Sequence, residues 1–168
     1  MLTEDIGFRH SNREGYLGVP LVSCGVMDLL MALSRAGHLD QPSLDTALFR
    51  LLRQGHRLVP LSPSLIEHVV KQDHGQLGPA IQALIATLVD ARVAIPYQTF
   101  GIAYLLYTLW AQLDLGNRRH TIVRTLMAGL EAFPDREQRL VDILIRGQQK
   151  FRLLSTQWQE VKTLLQQG

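Results

Sequence analysis

Between Arg92 and Asp114 the chain carries 21 consecutive uncharged residues, VAIPYQTFGIAYLLYTLWAQL, and this stretch constrains the fold more than any other. A helix that is apolar on every side has no face for water, so it belongs either in a bilayer or at the centre of other helices. Pro96 suits the first turn of a helix rather than its interior, which starts the element there and leaves a helix to about Leu113. That is short for a bilayer crossing. Gln98, Thr99, Thr108 and Gln112 are poor company for lipid, and no basic cluster marks one side. The stretch therefore reads as the buried central helix of a bundle, with no membrane as partner. Tyr97, Tyr104, Tyr107 and Trp110 add bulk with polar tips, which suits a core whose edge is wet.

A central helix needs others around it, and the sequence supplies them. Apolar residues recur at helical spacing in Val26, Leu29, Leu30 and Leu33, again in Leu44, Leu48, Leu51 and Leu52, and again in Ile81, Leu84, Ile85, Leu88 and Val89. Gly37 ends the first of these stripes, Asp40 stands at the N-cap of the second and Gly55 closes it. Beyond residue 79 the spacing predicts helices over about 80–92, 97–114, 118–132, 136–149 and 151–166, with Asp135 and Gln138 placed as a capping-box variant after Pro134. The segment DHGQLGP at 73–79 reads as a linker, and 80–168 as a helical bundle.

The amino-terminal part reads differently. VPLVS at 19–23 and RLVP at 57–60 are short and apolar, bounded by Gly and Pro, as strands are. With Met1-Leu2-Thr3 as the tail of a further strand and a crossover helix over 6–16, residues 1–23 form a βαβ unit, part of a parallel sheet. The expected fold is thus mostly α with a small α/β part: a partial parallel sheet within 1–72, followed by the bundle.

Composition narrows the function. With 46% apolar and 19% charged residues, the 168-residue chain is globular rather than disordered or fibrous, and at this length a single domain buries about 70% of its unfolded surface. A net charge of +2 is too mild to imply nucleic-acid binding by itself. The lone Cys24 excludes an internal disulfide or a thiolate zinc site, and the polar start MLTEDIGFRHSNREG lacks the apolar run of a signal peptide. Both features point to the cytoplasm. The six histidines, 10, 38, 56, 68, 74 and 120, show no zinc spacing, and there is no phosphate-binding glycine loop. Cys24 sits at a strand-to-helix turn without a partner base, so a buried, inert thiol is expected.

Two carboxylates stand out. Asp5 follows the first strand segment, where α/β folds bind ligands, and also sits where it would cap the next helix. Asp28 falls in the first turn of the helix after the second strand, so both acids would line one rim of the sheet. Two acids at consecutive strand ends can hold Mg²⁺ or Mn²⁺, although hydrolytic chemistry needs further oxygen ligands.

The run Leu2-Thr3-Glu4-Asp5, the helix after it, LGVPLVS at 17–23 and then Val26-Met27-Asp28-Leu29-Leu30 resembles the carboxyl-terminal half of PIN domains, a nuclease-like α/β family with acidic metal ligands. The continuation LSRAGHLDQPSLDTALFRLLRQGHRLVPLS is similar to the tail of longer bacterial PIN-like proteins, so the resemblance spans residues 1 to about 72. It implies Asp5 as the acid of the family's T-x-D position and Asp28 as a weaker match to a further acid, with metal-dependent RNA phosphodiester hydrolysis as the ancestral chemistry. The family's earlier acidic residues precede this region, so the resemblance implies a chain that begins inside the pattern. No catalytic residue is assigned, and an enzyme is implied only in a completed form. The second function class is a noncatalytic helical module whose bundle docks a protein partner or another copy of itself. A third, helical nucleic-acid binding with RNA as a possible partner, draws on Arg118, Arg119, Arg124, Arg136, Arg139, Arg146, Lys150 and Arg152. These basic residues alternate with Asp135, Glu137 and Asp142, as on a solvated mixed-charge face.

Overall fold

A computed structural model describes residues 25–56, 59–111, 115–116, 118–150 and 155–167. Among them the ordered elements are all helices: α1 (Val26–Arg35), α2 (Gln41–Arg53), α3 (Pro63–Gln72), α4 (Pro79–Leu88), α5 (Ile95–Ala111), α6 (Arg118–Leu130), α7 (Arg136–Lys150) and α8 (Ser155–Gln167). The described residues as far as Ala47 belong to one compact unit and those from Leu48 onward to another.

In the first unit, local chemistry sets where the helices begin and end. Gly37, at φ 74°, turns the chain out of α1 so that His38 N–H donates to Leu33 O at 2.9 Å and Gly37 N–H to Ser34 O at 3.0 Å. A residue with a Cβ resists that left-handed conformation. Asp40 caps α2 as its position predicts, its carboxylate accepting from Ser43 N–H at 2.9 Å.

In the second unit, α5 is the hub, packed against α3, α4, α6 and α7, while α8 lies against α6 and α7. Its core residues Leu105, Leu106 and Leu109 are fully buried. Gln98, Thr99 and Thr108 along it are buried too, and each is satisfied. Thr99 and Thr108 donate to the carbonyls of Ile95 and Tyr104, both at 2.9 Å, and Gln98 donates to Asp90 O at 2.6 Å. These bonds remove the desolvation penalty that would otherwise oppose burial. Gly101 permits close approach to α4, since a Cβ there would lie 2.4 Å from Leu88 Cδ2. α5 is 17 residues long, and no helix among the described residues is long and apolar enough to cross a membrane.

The expected sheet is corrected. No strand occurs among the described residues, and residues 25–72 of the anticipated α/β segment carry the helices α1, α2 and α3. Val59 is buried as a strand residue would be, but it and Pro60 are irregular backbone leading to Ser62, whose hydroxyl caps α3 by accepting from Leu65 N–H at 3.1 Å. Pro60 brings no N–H to a ladder and Pro63 begins a helix, so Val59 and Pro60 here serve helix entry. The other strand segments, 1–3 and 19–23, and the crossover at 6–16 lie outside the described residues. Residues 73–79 make a tight turn: His74 and Gly75 both have positive φ, 51° and 62°, and Asp73 reaches forward to accept from Ile81 N–H at 2.9 Å, capping α4.

Candidate functional site

α7 departs from the usual division of a surface helix into a buried apolar face and a polar outer one. Ile143 and Gly147 turn inward and are buried, as α5 requires. Val141 and Ile145, four residues apart and so stacked on one face, are 48% and 47% exposed. They form an apolar ridge. The large hydrophobics exposed among the described residues are these two together with Ile95 (47%) and Tyr97 (69%), both in the first turn of α5.

A groove runs along each flank of the ridge. The first, about 340 Å³, is lined by Arg136, Glu137, Leu140, Val141 and Leu144 of α7 and by Leu165 of α8. The second, about 350 Å³, lies between Ile95, Pro96 and Thr99 of α5 and Asp142, Ile145, Arg146 and Gln149 of α7. The first groove is mainly apolar, and the second is mainly polar, with Asp142 and Arg146 in its lining. Among the described residues Arg136 Nε, at the rim of the first groove, is buried with no hydrogen-bond partner.

The base of this surface is held firmly. Arg139 Nη1 donates to Gln98 Oε1, tying α7 to α5, and Arg139 Nε donates to Asp135 at 2.7 Å. The guanidinium lies 4.1 Å from the Phe133 ring centroid. The Arg139 hydrogen bond holds the Asp135 carboxyl below its usual range. Asp135 precedes α7, as the expected N-cap does, while the Gln138 side chain turns forward to Asp142 at 2.9 Å rather than back to Asp135.

A second polar cluster joins α5, α6 and α8. Glu160 accepts from Trp110 Nε1 at 3.0 Å and lies 3.4 Å from His120 Nε2 and 3.3 Å from Arg119 Nη2. Arg119 also lies over the Trp110 ring at 4.9 Å. Partial burial is the largest single influence on Glu160 and pushes its carboxyl up. The Trp110 and His120 hydrogen bonds and the Arg119 charge outweigh it and hold the carboxyl below its ordinary value. Elsewhere on α5, Tyr104 donates to Glu67 of α3, and burial followed by that bond pushes the phenol well above its usual range. Both clusters fasten helices to one another.

Of the carboxylates read from sequence, Asp5 lies outside the described residues. Asp28 is exposed and accepts from Gly25 N–H at 3.0 Å, the backward half of a capping box that secures the start of α1. Among the described residues no three His, Cys, Asp or Glu side chains converge as metal ligands would. Arg119 and Arg139, counted among the basic residues of a nucleic-acid face, are engaged internally. The exposed ridge itself was legible only as part of an apolar stripe, because LVDILI at 140–145 carries more apolar residues than one buried face uses. Comparison with protein-family models, with curated proteins and with solved structures finds no match in any of the three.

Proposed function

We propose that this chain is a noncatalytic helical protein–protein interaction module and that the outer face of α7 is its docking surface. One observation carries the reading: Val141 and Ile145 stand half-exposed between two grooves on a helix whose other side is fixed to the core. Fully burying a branched aliphatic side chain is worth roughly 1.5–3 kcal/mol, so a partner that covers both residues gains affinity from positions the single chain leaves in water. The Arg139 bridge to Gln98 supports the reading, because a surface held in place loses little freedom on binding.

The test is co-purification from the native host, with the chain carrying one tag and a second copy carrying another, both at native abundance. The Val141→Asp/Ile145→Asp variant is compared with the wild type. The wild-type chain is expected to retain a protein, either the second copy or a different one, that the variant releases while keeping its melting temperature. Retention that ignores the two substitutions, or no retention at all, contradicts the proposal.

A further inference from the structure

We infer that the occupant of this surface is a second copy of the same chain, with the two α7 helices packed antiparallel across a two-fold axis at the level of Ile143 and Leu144. This rests on the docking role proposed above and names the partner. A two-fold interface must be complementary to itself, so projections and recesses have to lie on the same face. Here the Val141–Ile145 ridge and both flanking grooves share the outer face of α7. An antiparallel copy offset by half a helix width lays each ridge into a groove of the other.

The charges select the orientation. Asp142 and Arg146 both line the second groove, four residues apart on one flank and opposite in sign. Reversing the direction of the second helix brings each Arg146 opposite the other copy's Asp142, giving two equivalent ion pairs by symmetry. A parallel copy sets like against like, and a partner of a single sign gains at one position what it loses at the other. Among the described residues Arg146 makes no ion pair, so the charge is available to a partner. A net charge of +2 on each copy opposes association only weakly. One 15-residue helix face is a small contact, and the dimer is accordingly reversible and concentration-dependent.

The experiment is sedimentation equilibrium of the full chain over a concentration series, for the wild type, Asp142→Arg, Arg146→Asp and the combined charge exchange. Thermal melts at dilution accompany each. The wild type is expected to pass from monomer to dimer. Each single substitution is expected to weaken the dimer about tenfold or more through like-charge contact. The exchanged pair restores most of the affinity, and the melts at dilution stay alike. A wild type that is monomeric throughout overturns the inference, as does a charge exchange no better than the single changes. Should the chain be monomeric while a different protein is still retained through Val141 and Ile145, the second copy is excluded and the docking surface stands. Should nothing be retained through those residues, both fall.

Discussion

α5 and α7 are packed neighbours that use apolar sequence in opposite ways. α5 has no charged residue over Ile95–Ala111 and is surrounded by four helices, so its apolar side chains are consumed by the fold. α7 is rich in charge and yet leaves Val141 and Ile145 half in water. The difference teaches that overall hydrophobicity reports how many neighbours a helix has, whereas apolar residues left over after those neighbours are satisfied report where another molecule fits. Exposed single aliphatics are ordinary on protein surfaces. Two stacked ones between open grooves form a patch.

The largest effect expected on the α5 side of this contrast comes from Leu106→Ala. Leu106 is fully buried at the hub, and the truncation is expected to cost about 2–5 kcal/mol in chemical denaturation. A loss under 1 kcal/mol would mean that α5 is not the centre. Next is Gly101→Ala, whose added methyl meets Leu88 in a filled space and is expected to cost about 1–3 kcal/mol. A neutral result would show that α4 and α5 have room to part.

The α5 expectation was legible because 21 uncharged residues with a proline near the start allow few alternatives. Helix limits at Gly37, Asp40 and Gly55 were legible for a similar reason, since each rests on local backbone chemistry. What escaped was long-range. The bond from Gln98 to Arg139 joins residues 41 positions apart, and the Glu160 cluster draws on three helices, for which no spacing rule exists. Tyr97 was expected in the core with Tyr104 and Trp110, yet it is 69% exposed, because it stands on the outer side of a helix start whose inward residues are Gln98 and Thr99. A strand was expected at 57–60, yet Val59 and Pro60 are irregular backbone, because a short apolar run ending in a proline fits a strand and a helix entry equally well. The backbone bonds that decide between them belong to the next helix, through Ser62.

A smaller effect is expected at Glu160, at the far end of α5. Its carboxyl titrates lower in the folded chain than in the unfolded one, so its contribution is fully present above the ordinary glutamate range and is lost as pH falls through the lowered folded value. Glu160→Gln should therefore melt below the wild type at neutral pH, and the two curves should converge in acid. Partial exposure keeps the difference modest. A gap that persists undiminished to low pH would mean that packing at Glu160 matters and its charge does not.

The smallest expected effect on the fold is the most telling. Ile145→Asp, measured by thermal unfolding at a dilution where single chains prevail, tests directly whether the outer face of α7 serves the fold or a partner. An unchanged melting temperature, together with loss of association at high concentration, is the predicted result. A drop comparable to that of Leu106→Ala would show that Ile145 belongs to the core and would contradict the account.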